Sequence, residues 1–177
     1  MTLPYHHIYL TGYRGSGKTS VGKRLGQRLL LSVIDLDDRI EAAAEMSIRE
    51  IFEHEGEAGF RDRESAALRV AGAELPSVVS LGGGAILREE NRRLITATGF
   101  CVWLKIDVDT VLARLTHDAA TADRRPALTR LSQREEVASM LATREPIYQS
   151  VSNVAIDVTG KQVKEIADEV IAALQWH

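Results

Sequence analysis

The sequence predicts an α/β fold, a three-layer arrangement with a central parallel five-stranded sheet flanked by helices, and three observations carry that expectation. Short apolar runs alternate with stretches of helical periodicity along nearly the whole chain. A glycine-rich segment stands between the first apolar run and the first helical stretch. With 177 residues, 45% of them hydrophobic and 27% charged, the chain has the composition of one domain spanning residues 1–177. At that length folding buries roughly 70% of the surface exposed by the unfolded chain, so neither disulfides nor a structural metal are needed.

His7 to Leu10 reads as the first buried strand. Beyond the glycines, Val21, Leu25 and Leu29 recur at four-residue spacing and predict a helix. Ser32 to Asp35 supplies the second strand, and Asp38 stands as an N-cap before Arg39-Ile40-Glu41. Ser47 and Glu50 make a capping box ahead of Ile51 and Phe52, which opens another helix. Ser77 to Leu81, Phe100 to Ile106 and Asn153 to Val158 complete the strands. His117 to Leu128, rich in Ala, Asp, Thr and Arg without apolar periodicity, reads as a mobile loop. Val163, Ile166, Val170, Ile171 and Leu174 share one helical face, so the final helix is expected to pack on the sheet. No linker, solenoid-length repeat or low-complexity block divides the chain.

A net charge of -3, from 22 basic and 25 acidic residues mixed along the chain, gives no argument for nucleic acid or anionic lipid as partner. The start, Met-Thr-Leu-Pro-Tyr-His-His, lacks the features of a signal peptide, and no stretch approaches the roughly 20 apolar residues of a membrane span. The lone Cys101 can form no internal bridge, which suits a reducing cytoplasm. His6, His7, His54, His117 and His177 lack metal-ligand spacing and read as surface or packing residues.

The strongest motif is Gly12-Tyr13-Arg14-Gly15-Ser16-Gly17-Lys18-Thr19, a P-loop pattern in its required place after a strand and at the start of a helix. Its glycines let backbone N–H groups converge, and the helix adds its positive dipole end to that anion nest. Gly15, Ser16, Gly17, Lys18, Thr19 and Ser20 are therefore expected around nucleotide phosphates, with the Thr19 hydroxyl on Mg²⁺. A P-loop alone does not choose among kinase, GTPase, motor or nucleotide sensor.

Asp35-Leu36-Asp37-Asp38 falls where the second strand should end, the edge at which open α/β sheets gather ligands. In extended geometry Asp35 and Asp37 share a face, so Asp35 could hold Mg²⁺ through water while Asp37 points toward an acceptor hydroxyl.

Further along stand Phe60-Arg61-Asp62-Arg63-Glu64, Leu81-Gly82-Gly83-Gly84-Ala85, Arg124-Arg125-Pro126-Ala127-Leu128 and Arg144-Glu145-Pro146-Ile147-Tyr148. With these motifs in this order the chain resembles the shikimate kinases, small P-loop kinases of the nucleoside monophosphate kinase-like group, from about Leu10 to Val158. The resemblance implies transfer of the γ-phosphoryl group of ATP to a ring hydroxyl of shikimate, giving shikimate 3-phosphate for aromatic amino acid synthesis. It implies Lys18, Asp37 and Arg125 as catalytic residues, with Arg125 reaching the nucleotide from a lid over residues 117–128. Asp37, Arg61, Gly82, Gly83, Gly84 and Arg144 would bind shikimate, the acceptor-binding region running over residues 37–64. Thr19 and Asp35 would hold Mg²⁺, the one cofactor expected. Arg114 and Leu115 fall near the family's adenine-facing segment. Ala127 stands where the family usually has Leu, and no glycine hinge precedes the lid. The chain is expected to work as a cytoplasmic monomer.

The residue types suit those roles. Planar guanidinium groups match a carboxylate, and glycines let a hydroxylated ring approach the backbone. Other readings stay open: Arg61 with Glu64 as a helix-surface pair, and Gly82 to Gly84 as a flexible turn. At the level of function the alternatives are a kinase of another small hydroxy acid such as gluconate, or a catalytically silent nucleotide-binding module.

Overall fold

The middle layer of the computed structural model, which describes residues 6–117 and 132–175, is a five-stranded parallel sheet. Its strands are β1 (His7–Thr11), β2 (Ser32–Asp35), β3 (Ser77–Ser80), β4 (Gly99–Lys105) and β5 (Val154–Asp157), in spatial order β2-β3-β1-β4-β5. Around it stand α1 (Lys18–Leu29), α2 (Leu36–Ala44), α3 (Ile48–Gly72), α4 (Glu89–Thr98), α5 (Val108–His117), α6 (Gln133–Val151) and α7 (Val163–Gln175), with a 3₁₀ turn at Ala85–Leu87. The strand limits differ from the sequence-based expectation by one residue at most.

β1 is buried along its whole length, as a parallel strand covered on both faces must be. Its residues alternate between two cores. Ile8 and Leu10 join Val21 and Leu25 of α1 and Ile166, Val170 and Leu174 of α7 on one face. Tyr9 joins Leu68 and Ala71 of α3, Ile95 of α4 and Tyr148 and Val151 of α6 on the other. A third, smaller cluster of Ile40, Ile48, Ile51 and Phe60 ties α2 to α3. α3 opens on the expected Ser47–Glu50 capping box and breaks at Gly56, whose φ of 68 places it in the left-handed region.

The sheet order fixes where the site opens. The chain leaves β1 through α1 toward the β2 edge, whereas α4 carries it from β3 across to β4. A crevice forms at the carboxyl ends of β1 and β3, where the two directions of winding part.

Two expectations about the Asp35–Asp38 segment are overturned. α2 begins at Leu36, so Asp37 lies in its first turn and shares no extended face with Asp35. The N-cap is Asp35: extended at φ -96 and ψ 119, it turns its carboxylate to accept the Asp37 N–H at 3.1 Å. Asp38 instead stands exposed in the first turn, where the helix dipole favours a negative charge. Val163 also departs from its expected packing face and remains 37% exposed. His117 closes α5, while residues 118–128 of the expected lid, Arg125 among them, lie outside the described residues. Among the described residues no helix is long and apolar enough to cross a membrane.

Candidate active site

The phosphate loop begins where β1 ends. The Ser16 N–H donates to the Tyr13 carbonyl at 3.2 Å and closes the turn. Gly17, at φ 90, takes the left-handed conformation that aims the chain into α1, and that helix has neither a side-chain cap nor an acid in its first turn. Its first N–H groups and dipole end are thereby directed at the crevice, the local arrangement that binds anions. Lys18 bends back over its own loop, donating from Nζ to the carbonyls of Gly12 at 2.8 Å and Tyr13 at 3.0 Å. The loop and Ser20 line a cavity of about 620 Å³ shared with Asp35, Asp37, Gly82 and Gly83.

α1 and the end of β2 bring two oxygen donors together: Thr19 Oγ1 donates to Asp35 Oδ2 at 2.8 Å. A hydroxyl beside a carboxylate is a hard donor set of the kind that suits Mg²⁺. The Asp35 carboxylate thus has two partners at once, the Asp37 N–H through Oδ1 and Thr19 through Oδ2. Asp37 follows on the first turn of α2, half-buried and facing the same cavity.

Across the crevice, Gly82 to Gly84 follow β3 as a buried turn, closed by the Ala85 N–H donating to the Gly82 carbonyl at 3.0 Å. Asn91 Nδ2 donates to the Ala85 carbonyl at 2.9 Å, and Arg92 donates to those of Ile86 and Leu87 at 2.8 Å each, which anchors the chain just beyond the glycines. The Gly83 carbonyl accepts from Arg144 Nη1 at 3.2 Å and from the Tyr148 hydroxyl at 2.8 Å. A methyl group at Gly84 would collide with the Arg61 guanidinium. Arg61 and Arg144, from α3 and α6, therefore converge on neighbouring glycines, of which Gly83 lines the cavity.

Arg61 does pair with Glu64, at 2.7 Å, but not as a solvated surface pair: the side chains are 12% and 1% exposed. Phe60 lies 5.2 Å beneath the guanidinium and Glu57 approaches it at 3.4 Å. Arg144 is buried, with its guanidinium 6.0 Å from the Tyr13 ring centroid.

The lining also includes Arg114, named above, and Arg14, Lys161 and Gln162, to which the sequence reading gave no separate role. Arg114 Nη1 donates to the Gly15 carbonyl at 2.8 Å, so α5 braces the phosphate loop. Arg14 faces the cavity from inside the loop, and Lys161, Gln162 and Val163 face it from the β5–α7 connection. That connection turns at Gly160 (φ 70) and is held by Lys161 to Glu169 and by the Gln162 N–H to Glu165. A glycine just ahead of a helix start was the available signal.

The sequence matches the family model for shikimate kinase over residues 14–175. A shikimate kinase of Rhodopirellula baltica is 50% identical over 167 residues, covering 94% of this chain and 89% of the relative. One of Ruegeria pomeroyi is 41% identical over 167 residues, with 94% and 84% covered. A solved shikimate kinase from Acinetobacter baumannii in complex with shikimate superposes with a TM-score of 0.91 at 31% identity, covering 98% of this chain and 95% of that one. A gluconokinase from Sinorhizobium meliloti shares the fold, with a TM-score of 0.65 at 19% identity and coverage of 99% and 94%.

Proposed function

The chain belongs to the shikimate kinase family and phosphorylates shikimate with ATP as donor, and from that premise we propose how its residues divide the reaction. The observation that carries the proposal is the meeting of Arg61 and Arg144 at Gly84 and Gly83, the latter lining the cavity with Lys18 and Asp37.

The nucleotide phosphates lie over Gly15 to Ser20, where Lys18 exchanges the Gly12 and Tyr13 carbonyls for phosphate oxygens, stronger acceptors because they are charged. Thr19 and Asp35 would hold Mg²⁺, which would supply positive charge against the outer phosphates. Arg114 and Leu115, both in the cavity lining, offer surface to the base. Arg61 and Arg144 take the shikimate carboxylate through paired N–H donors, and the ring lies along Gly82 to Gly84. Asp37 orients the attacking hydroxyl and accepts its proton as the new oxygen–phosphorus bond forms. The bond to the bridging oxygen breaks at the same time, and ADP leaves with that electron pair. Arg125 adds charge from the proposed lid. Such alignment can account for about 7 to 11 kcal/mol of the barrier.

One catalytic domain over residues 1–177, monomeric, cytoplasmic and without nucleic acid or membrane partners, completes the proposal; the family match over residues 14–175 and the mixed charge support it. Acceptor-dependent ADP release tests the reading. ADP should appear with shikimate and not with gluconate. ADP release with gluconate alone would favour the hydroxy-acid alternative, and nucleotide binding without release for any acceptor would favour a silent module.

A further inference from the structure

The phosphate loop carries a second cation beside Lys18. Arg14 is half-buried in the turn after Tyr13 and lines the cavity with Lys18, Asp37, Gly82 and Gly83. The other cavity-side arginines are engaged: Arg61 with Glu64, Arg114 with the Gly15 carbonyl, Arg144 with the Gly83 carbonyl. Arg14 is held differently. Its guanidinium lies 5.7 Å from the Tyr13 ring centroid and, as at Arg61, its enclosed Nε has no hydrogen-bond partner among the described residues, but unlike Arg61 it lines the cavity. Enclosing a guanidinium donor without an acceptor is unfavourable unless an anion completes the site.

Two anions meet in this crevice under the reading above, the acceptor carboxylate and the outer phosphates. The carboxylate is matched by Arg61 and Arg144 behind the glycines. Arg14 belongs to the loop itself and lines the same cavity as Lys18 and Asp37, so the outer phosphates are the anion within its reach under that reading.

We propose that Arg14 is a catalytic residue of the transfer, donating N–H groups to a non-bridging oxygen of the γ-phosphoryl group. It exchanges no proton. While the acceptor oxygen bonds to phosphorus and ADP departs with the bridging electron pair, the hydroxyl proton passes to Asp37 and Arg14 holds the charge spreading over the equatorial oxygens. Lys18 and Arg14 then grip that group from the helix side and the acceptor side of the loop. The cation–π contact fixes the fork before substrate arrives.

The inference rests on the phosphoryl-transfer reading, and its test separates the two. Titration calorimetry on the full chain compares ADP with a β,γ-imido ATP analogue for the parent, Arg14→Gln and Arg14→Lys. Arg14→Gln should weaken the analogue by about 10- to 150-fold, the effect of one charged hydrogen bond, with ADP and shikimate affinities unchanged and kcat reduced. Arg14→Lys, which keeps the charge but not the fork, should fall between. Equal weakening of ADP and the analogue, loss confined to shikimate, or no change would overturn the proposal. Should Arg14→Gln not fold, the analogue-to-ADP ratio of Arg14→Lys decides, a fall supporting the proposal and an unchanged ratio ending it. Shikimate-dependent ADP release by the parent is the control: its absence removes the underlying reading, whereas its presence with an indifferent Arg14 removes only this role.

Discussion

The Tyr13 ring, inside the phosphate loop, lies 6.0 Å from the guanidinium of Arg144, which reaches it from a helix 131 positions along the chain. The phosphate loop and the proposed acceptor side of the crevice therefore share a wall. Replacing Tyr13 by Leu keeps an apolar side chain and deletes the ring face beneath the arginine. A partly buried cation–π contact is worth about 0.5 to 2 kcal/mol, so KM for shikimate should rise about 2- to 30-fold in steady-state kinetics. An unchanged KM would show that Arg144 is held by Gly83 alone.

Arg61 and Asp37 act at different stages, and kinetics separate them. Arg61→Ala removes the proposed partner of the acceptor carboxylate and deprives the buried Glu64 of its 2.7 Å ion-pair partner. KM for shikimate should rise by an amount reflecting about 1.5 to 3 kcal/mol per lost charged hydrogen bond. Asp37→Asn keeps the shape and loses the charge, so kcat should fall while shikimate still saturates the enzyme. Saturation of Arg61→Ala at the parental shikimate concentration would refute the clamp.

The phosphate loop was legible because its chemistry is local: eight consecutive residues, Gly12 to Thr19, specify both turn and helix start. The same holds for the Ser47–Glu50 capping box, which spans three positions. The Asp35–Asp38 segment misled because three aspartates within four residues offer several caps, and only the observed backbone shows that Asp35 meets the Asp37 N–H. Contacts such as Arg114 to Gly15, 99 positions apart, depend on the order of strands in the sheet, which periodicity does not encode. Val163 was read as core because it is apolar and in phase, yet it sits in the first turn of α7, where that face meets the cavity.

Asn91 supports the glycine segment from behind. It is buried, and its amide holds the Ala85 carbonyl one residue past Gly84. Asn91→Ala leaves that carbonyl without its side-chain partner, a change worth about 1 to 3 kcal/mol. Urea denaturation should record that loss at unchanged slope, and KM for shikimate should rise as the platform loosens. Loss of stability with native KM would assign Asn91 to folding alone.

His7 makes stability depend on pH. Burial holds its ring below the ordinary pKa of 6.5, the nearby His6 acts in the same direction, and the Gly72 carbonyl, Glu74 and Ser77 partly oppose them. The folded state favours the neutral ring, so the unfolded chain takes up the proton first as pH falls. This contribution is present above pH 6.5 and lost below it, down through the folded pKa. Between about pH 7 and pH 5 the parent should lose more stability than His7→Gln, as followed by denaturant midpoints. Parallel profiles for the two proteins would remove His7 as the cause.

The phosphoryl group that leaves ATP arrives on shikimate. Phosphorus NMR of the protein with ATP, Mg²⁺ and shikimate reads this directly. A phosphomonoester resonance coupled to the shikimate ring proton at position 3 should grow in step with ADP and vanish with Lys18→Met. Formation of ADP and inorganic phosphate without that phosphomonoester would contradict the claim.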